Sequence, residues 1–405
     1  MNVTRRNVLA ASATVPALNA VATAQATPNS RGLELRPGLI HLNTASIGPV
    51  SAEVRAAVMD AWLRLEADPV RMTYARDADT VVSHADAVRG KIAALIGCEA
   101  DEVMLTSSTT DGMIKLAQAL ALAPGDRVLL TDQEHEGGET GWLHRAAREG
   151  IVIDRVALPL GDTSESELLA RFSAALRPNT RAVITSHVVS ASGLRIPVAE
   201  IVRMAHEQGA LCMVDGAQAV GQIAVDVRAI GCDAYAASGH KWLMGPKGTG
   251  FLYIARAAQE RLSPPQWLMT KDFGGNSSGV GPAQLVIGLG QAIDRLNAVG
   301  IDAVARHNAQ MRNLIHAGLS AMPGLAVLGP TRFGLTSALV AARLPDYIDS
   351  KALRERLHDR HGIIIKMAEK RWFNGIRLSP HIFNDAAQVE KAIAALRFEL
   401  ADWKV

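Results

Sequence analysis

An aspartate and a lysine follow two successive apolar segments in an arrangement that could hold a cofactor. Asp215 stands at the end of the apolar run 210–214, and Lys241 follows the next apolar run, 233–237. A lysine amine can hold the aldehyde of pyridoxal 5′-phosphate (PLP) as a Schiff base, and a carboxylate can keep its pyridine nitrogen protonated. Alone, the aspartate could merely cap a turn, and the lysine could be a solvated surface charge. The pair at neighbouring strand ends therefore indicates PLP.

Groups that could bind the phosphate of such a cofactor follow an earlier apolar run. The segment 106–112 (TSSTTDG) opens a helical pattern, so Thr109 and Thr110 could offer hydroxyls beside the free N–H groups of a helix N-terminus. On its own, this segment is better explained as an ordinary helix cap. Ser238 and His240, next to Lys241, could close the other side of the phosphate.

Histidines give two further signals. His135 lies in the loop 131–138 (TDQEHEGG), where its ring could lie flat against the cofactor ring. A solvated loop histidine is the alternative, and spacing does not exclude it. His358 and His361 have an H-x-x-H spacing without further ligands, so we interpret them as part of a polar helix face and predict no metal site.

The candidate residues fall at the carboxyl ends of predicted strands, where open α/β sheets bind their ligands. From about residue 100, short apolar runs alternate with amphipathic segments, which is the pattern of an α/β domain. The segment 238–249 is too short for a crossover helix, so the strand after it should run antiparallel. The sequence thus predicts a seven-stranded, mostly parallel sheet with one antiparallel strand. The predicted strands are 103–106, 127–131, 151–156, 181–186, 210–214, 233–237 and 250–254.

The remainder of the chain is predicted to form a smaller α+β domain. We assign residues 50–295 to a large cofactor-binding domain and residues 296–405 to a small C-terminal domain. Residues 27–49 are predicted to form an N-terminal arm that wraps back onto the small domain. A long helical region, 283–322, should be interrupted at Gly300. The strands predicted after it are 325–328, 338–344, 362–366 and 375–379, with helices at 350–360 and 386–403.

Residues 1–26 are predicted to be a twin-arginine signal peptide. Arg5 and Arg6 precede an uncharged, Ala-rich apolar run, 8–24, with small residues near its end that offer A-x-A cleavage sites. A frayed helix with a chance arginine pair is the alternative. The predicted location is the periplasm, reached after folding, with no membrane contact once the signal is removed.

Composition argues against several other classes of protein. The 405-residue chain carries 42 basic and 40 acidic side chains, so no charge excess points to nucleic acid. No G-x-G-x-x-G follows the first strand, which argues against a nucleotide-binding Rossmann enzyme. The three cysteines are an odd number and form no disulfide framework, and Cys212 and Cys232 are expected to be small buried residues.

The segment 214–254 resembles the signature of the class V aminotransferase family, a fold-type I group of PLP enzymes. Its most specific part is the run SGHKWLMGPKG at 238–248. The resemblance covers almost the whole chain after the signal, including HLNTASIG at 41–48 and RLSPHIFN at 377–384. Together with EADP at 66–69 and the loop TDQEHEGG, the opening motif is most similar to isopenicillin N epimerase-type members.

The resemblance implies cofactor contacts for individual residues. Lys241 would form the Schiff base and later act as the general base for the α-proton, while Asp215 would pair with the pyridinium. His135 would stack on the ring, and Gln218 would lie beside the ring hydroxyl. The phosphate would be held by Thr109, Thr110, Ser238 and His240.

The resemblance also implies how substrate and partner bind. Arg377 would clamp the α-carboxylate of an amino-acid substrate, a task suited to a bidentate guanidinium, and Asn43 would contribute to the same site. A homodimer is expected. In the family, the neighbouring subunit often contributes a contact to the phosphate, and Ser277 or Ser278 would supply that contact here. Residues of flanking segments that could line the side-chain pocket are Arg71, Tyr74, Arg76, Arg371 and Trp372.

Transamination, epimerisation and β/γ-elimination, including C–S bond cleavage, remain open, because they differ only in where the proton or leaving group goes. A desulfurase is disfavoured, since it needs a nucleophilic cysteine on a small-domain loop. No cysteine follows Cys232, and 366–374 (KMAEKRWFN) occupies the expected region. A non-catalytic binding protein of this fold is the third possibility, but such a site has no use for a Schiff-base lysine.

Overall fold

The computed structural model describes residues 32–75, 77, 80–262, 281–332 and 334–403. The predicted signal peptide, Arg76, Ser277 and Ser278 lie outside the described residues. In the first part of the chain, the elements are β1 (Ile40–His41), α1 (Ala52–Ala67), α2 (Pro69–Tyr74), α3 (Val81–Ile96), β2 (Val103–Thr106), α4 (Thr109–Ala119), β3 (Arg127–Thr131), α5 (Glu136–Glu149), β4 (Val152–Val156), α6 (Glu165–Ala175), β5 (Thr180–Ser186), α7 (Val198–Glu207), β6 (Leu211–Asp215), α8 (Val227–Ile230), β7 (Ala234–Ser238) and β8 (Gly250–Ile254). After them come α9 (Ala283–Val299), α10 (Ile301–Ser320), β9 (Ala326–Leu328), β10 (Val340–Arg343), α11 (Ser350–His361), β11 (Ile363–Ile364), β12 (Lys366–Met367), β13 (Gly375–Leu378) and α12 (Ala386–Ala401).

The large sheet has the predicted seven strands, in the order β2-β8-β7-β6-β5-β3-β4. The pairs among β3 to β7 are parallel, whereas β8 is antiparallel to both β2 and β7. The prediction of a mostly parallel sheet with one reversed strand is therefore confirmed. Its cause is the short β7–β8 connection, which holds no helix that could return the chain to the other end of the sheet.

Helices cover both faces of this sheet, as the apolar strands require. Along β6, Leu211 and Met213 join the core under α4 and α5, while Cys212 and Val214 join the core on the opposite face. All five residues of β6 are buried. Because both faces are covered, polar ligand-binding groups can stand only at the strand ends.

The small domain is a four-stranded antiparallel sheet, β12-β13-β10-β9, with its own apolar core beneath α10, α11 and α12. The predicted strand 362–366 is wrong as a single strand: β11 pairs in parallel with β1, whereas β12 pairs with β13. The interruption predicted at Gly300 is present, because α9 ends at Val299 and α10 begins at Ile301. The helix α9 thus runs past the predicted domain boundary between residues 295 and 296 and packs against α1 and α3 of the large domain.

The described part of the N-terminal arm packs back onto the small domain, as predicted. The strand β1 pairs with β11, and Asn43 forms a bridge to Ser379. The arm then reaches the large domain, where the Gly48 N–H donates to the His240 carbonyl at 2.7 Å. A Cβ atom on Gly48 would overlap the Lys241 carbonyl oxygen, so only glycine permits this approach.

Candidate active site

A cleft of about 840 Å³ opens at the carboxyl ends of the large-sheet strands and extends to the small domain. It is lined by the arm, by the ends of several strands and by the small-domain strands β12 and β13. The lining includes Arg377 and every described residue predicted to contact the cofactor, but not Asn43 and not the pocket candidates Arg71, Tyr74, Arg371 and Trp372. Its polar and charged members are Ser46, Ser108, Thr109, Thr110, His135, Ser186, Ser190, Asp215, Gln218, Ser238, His240, Lys241, Lys366, Glu369 and Arg377.

Lys241 follows β7 and presents its amine to the cleft. Burial lowers its pKa to about 8, Asp215 opposes that shift, and the positive charges of Arg377 and Lys366 reinforce it. A lysine amine with such a pKa is neutral in a substantial fraction of molecules near neutral pH. It can therefore act as a nucleophile and as a base.

Asp215 ends β6 and is 5% exposed. Its Oδ1 accepts a hydrogen bond from the Ala217 N–H at 2.9 Å, which fixes the carboxyl group. The opposite oxygen, Oδ2, faces Gly138 at the start of α5, because a Cβ on that glycine would lie 3.1 Å from it. The structure thus holds one carboxyl group rigidly at the base of the cleft.

A second buried carboxyl group, that of Glu134, lies beneath the site. It accepts hydrogen bonds from Thr131 Oγ1 at 2.7 Å, from Ser186 Oγ at 2.6 Å and from the Ser186 N–H at 3.2 Å. Burial raises the pKa of Glu134 to about 7; the hydrogen bonds from Ser186 and Thr131 oppose this, and the nearby Asp215 charge adds to it. The raised pKa follows mainly from burial, with a smaller contribution from the Asp215 charge.

The N-terminus of α4 forms the predicted anion-binding end of the cleft. Ser108 caps the helix, and the Thr109 N–H and hydroxyl both lie 2.8 Å from Ser238 Oγ. His240 stands beside them with Nδ1 buried and unpaired among the described residues. Burial lowers the pKa of His240 to about 4, and Lys241 and Lys247 lower it further, so its imidazole is neutral. An unpaired ring nitrogen at a helix N-terminus is suited to a phosphate oxygen.

His135 caps α5 from within the cleft wall. Its Nδ1 accepts a hydrogen bond from the Gly137 N–H at 3.0 Å, so the neutral ring carries its proton on Nε2. Burial lowers the pKa of His135, and the charge of Lys241 lowers it further, against the opposing effect of Asp215. The ring is therefore neutral and held at a fixed angle at the edge of the cleft.

Arg377 lies in β13 and projects into the cleft from the small domain. Its Nη1 donates to the Ser190 carbonyl at 2.9 Å and to Ser190 Oγ at 2.6 Å, and its Nη2 donates to Ser46 Oγ at 3.2 Å. Burial lowers the pKa of Arg377 to about 10, which Glu369 opposes. The guanidinium is a fixed cation, and its Nε is buried and unpaired among the described residues.

Gln218 and Asn43 differ from the other predicted site residues in their surroundings. Gln218 lines the cleft, but its amide is held by the protein: Nε2 donates to the Ala45 carbonyl at 2.9 Å, and Oε1 accepts from Trp242 Nε1 at 2.8 Å. Asn43 is not among the residues that line the cleft, and its Oδ1 is buried without a partner in the described chain. Asn43 is therefore not brought together with the other predicted residues.

The loop after β12 closes the small-domain side of the cleft. Arg371 Nη1 donates to Glu139 Oε1 at 2.5 Å and Nη2 donates to the Glu134 carbonyl at 2.9 Å, both in the large domain. Its Nε donates to Glu369 Oε2 at 2.9 Å. Arg371 thus fixes this loop against α5, and Glu369 and Lys366 line the cleft as a result.

Sequence reasoning missed Glu134, Ser186, Lys366 and Glu369. Glu134 immediately precedes His135 in a loop after a buried strand, which was a usable signal. The direction of its side chain, away from solvent and toward Ser186, is set by the end of β5, more than 50 residues later in the chain. Lys366, the first residue of the KMAEKRWFN segment, had no such signal in the sequence.

The residues present fit the phosphate, the ring nitrogen and the aldehyde of PLP. The orphaned His240 Nδ1 and the capped α4 N-terminus suit the phosphate, Asp215 suits a protonated ring nitrogen, and Lys241 suits the aldehyde. By contrast, none of the three cysteines lines the cleft, although all three are described. No metal-binding group of His, Cys, Asp or Glu occurs among the described residues.

Comparisons with known proteins show which family the chain belongs to. A sequence model of the Aminotransferase class-V family matches residues 40–391. Isopenicillin N epimerase from Amycolatopsis lactamdurans is 31% identical over 93% of this chain and 99% of its own. A probable cysteine desulfurase from Methanothermobacter thermautotrophicus is 28% identical over 89% and 94%. A solved mutant of C-DES, with glycine covalently linked to its PLP cofactor, superposes with a TM-score of 0.81 at 22% identity, covering 92% of this chain and 99% of that one. The chain therefore belongs to the class V aminotransferase family of fold-type I, PLP-dependent enzymes.

Proposed function

We propose that the protein acts at the α-carbon of an amino acid, or of a small molecule that contains one, by transamination or by isopenicillin N epimerase-like epimerisation. The observation that carries this proposal is the convergence of Lys241, Asp215 and Arg377 on one cleft. PLP, when bound, supplies an electron sink for negative charge at the substrate α-carbon. A binding protein would have no need of a desolvated lysine at the same place.

The chain's own residues divide the work. The Arg377 guanidinium holds the substrate α-carboxylate and so fixes which bond of the α-carbon lies next to the lysine. Lys241, with its pKa of about 8, takes the α-proton when neutral and returns it when charged. Asp215 keeps a proton on the ring nitrogen, and the wall formed by the arm and the loop at 366–374 limits access of water.

Desulfuration by a cysteine nucleophile is not supported, because burial raises the pKa of Cys212 and Cys232 and neither lines the cleft. Cleavage of a C–S or other bond at Cβ or Cγ needs no such cysteine. It would use the same lysine and arginine, so elimination is the competing outcome.

Purified protein should be yellow, and Lys241→Ala should abolish the cofactor absorption band. A panel of amino acids should then shift or bleach that band, with products assayed as keto acid, racemised amino acid or ammonia. Keto acid formed together with the amine form of the cofactor would establish transamination, and racemised product would establish epimerisation. Ammonia with a cleaved side chain would establish elimination instead. A colourless wild type that takes up no PLP would disprove the proposal.

We further propose export to the periplasm by the twin-arginine route. The support is the order of Arg5, Arg6, the apolar run and the small residues after it. None of the described helices has the length and apolarity needed to cross a membrane. The wild type is expected to appear in the periplasm in a shortened form. The double variant Arg5→Lys plus Arg6→Lys is expected to remain in the cytoplasm at full length. A full-length cytoplasmic product in the wild type would contradict export.

A further inference from the structure

A side pocket of about 220 Å³ adjoins the main cleft on its small-domain side. The two spaces share Ser190, Lys366, Glu369 and Arg377 in their walls. The side pocket adds Met367, Ala368 and Trp372 of the loop that Arg371 holds against α5. It lies next to the guanidinium that takes the α-carboxylate, so it is placed to receive the rest of the substrate.

Two cations stand directly opposite each other at the mouth of this pocket. Lys366 on β12 is the cross-strand partner of Arg377 on β13, and both line the main cleft and the side pocket. Like charges directly opposite each other on adjacent strands destabilise a sheet. Burial lowers the pKa of Lys366, the Arg377 and Arg354 charges lower it further, and the Glu369 charge offsets only part of this repulsion.

The anionic group nearest to this pair is already engaged. Glu369 accepts a hydrogen bond from Arg371 Nε at 2.9 Å, and no carboxylate lies within 4.0 Å of Lys366 Nζ in the described part of the chain. The Trp372 indole N–H is also buried and has no partner among the described residues. The pocket therefore offers an ammonium and an indole N–H to a ligand, both of them donors.

The one carboxylate of the pocket, Glu369, is shared among Arg371, Arg377 and Lys366, so positive charge is in excess there. Two unpaired donors beside this excess indicate a ligand group that accepts hydrogen bonds and carries negative charge. Arg377 is assigned to the α-carboxylate, so Lys366 is left for a second group. We propose that the side pocket binds a carboxylate on the side chain of the substrate and that Lys366 is the residue that selects it. The substrate class is then an amino acid with an acidic side chain, or a conjugate that carries a carboxylate at that position. This inference rests on the proposed function.

Binding of matched pairs to the holoenzyme tests the proposal. Dissociation constants would be measured from the cofactor absorbance for glutamate against glutamine and for 2-aminoadipate against norleucine. The unreactive acids glutarate and pentanoate, which differ by one carboxylate at the same chain length, would be compared by thermal shift, so that no reaction is needed. The wild type should bind each anionic member at least about tenfold more tightly, as one charge-assisted hydrogen bond gives.

Lys366→Met should remove this preference and bring each pair to within about twofold. Lys370→Met, an exposed lysine of the same loop, removes the same charge and should leave the preference intact. The inference is overturned if the wild type prefers the neutral members or if Lys366→Met keeps the preference. It is also overturned if Lys366→Met weakens both members of each pair equally, since Lys366 would then serve the α-carboxylate. A coloured enzyme that shows no preference for the anionic ligands would contradict only this inference. A colourless protein would contradict the proposed function as well.

Discussion

At the scale of single residues, the site contains two carboxyl groups that share one buried region. Asp215 has a backbone donor and faces the cleft, whereas Glu134 is enclosed by Thr131 and Ser186. Two ionised groups this close would repel in a low-dielectric environment. Burial raises the pKa of Glu134 to about 7, against the hydrogen bonds that Ser186 and Thr131 donate, so Glu134 holds a proton in part of the molecules near neutral pH while Asp215 remains available to the cofactor.

Glu134→Gln is expected to change the pH dependence of stability in the cofactor-free protein. The pKa of Glu134 is raised to about 7 in the folded protein, so the folded state holds the proton more tightly than the unfolded chain does. The stability contributed by this group is therefore complete below about pH 4.5 and is lost as the pH rises through about 7. The free energy of unfolding of the wild type should fall relative to the variant by about 3 kcal/mol across this range.

Urea unfolding at several pH values measures this difference. Glu136→Gln, an exposed neighbour in the same segment, is the control and should show a difference from the wild type that does not vary with pH. A flat difference for Glu134→Gln would mean that Glu134 is ionised throughout the range.

At the scale of elements, much of the site follows from the pattern of apolar runs. The strand ends place Asp215, Lys241 and Thr109 at one edge because parallel strands share a carboxyl edge, and this could be predicted. The split of 362–366 into β11 and β12 could not, because it depends on the arm strand β1 pairing with β11 from more than 300 residues away. The surroundings of Asn43 could not be predicted for the same reason, since the arm's path beside Ser379 decides where its side chain lies.

Gly48→Ala should damage the site through the arm. The added Cβ would overlap the Lys241 carbonyl oxygen, so either the arm or the lysine backbone must move. We expect a loss of stability of about 1–3 kcal/mol and weaker PLP retention on dialysis. Thermal unfolding of the cofactor-free and PLP-loaded forms measures both effects.

Gly38→Ala is the matched control, since no atom lies within 4 Å of a Cβ there. Its positive φ of 78° costs backbone strain without a clash, so its PLP retention should equal that of the wild type. Equal PLP retention in Gly48→Ala would contradict the assigned role of the arm.

At the scale of the whole molecule, one surface is unusually apolar. Trp62 and Leu63 on α1 are 49% and 67% exposed, and Val70 and Tyr74 on α2 are each 70% exposed. Val70 and Tyr74, four residues apart, lie on one face of α2. Exposed apolar groups of this size on neighbouring helices indicate an interface, and we propose that a second copy of this chain covers it.

Leu63→Lys combined with Val70→Lys should convert a dimer into a monomer in light scattering after gel filtration. Phe398→Lys, which places the same charge on an exposed aromatic of α12, should leave the dimer intact. A monomeric wild type, or a double variant that remains dimeric, would contradict this interface. From the sequence, a dimer could be expected by resemblance to the family, but the surface that forms it could not be predicted. Which residues of α1 are exposed depends on how α1 packs on α9.

The central claim is that Lys241 is the amine that holds PLP. Treatment of the purified protein with borohydride fixes a lysine-bound cofactor permanently, and peptide mass spectrometry then locates it. We predict one phosphopyridoxyl group per chain, on Lys241. Lys366 and Lys247, whose pKa values burial also lowers, should carry none. A label on another lysine, or no label on a protein supplied with PLP, would contradict it.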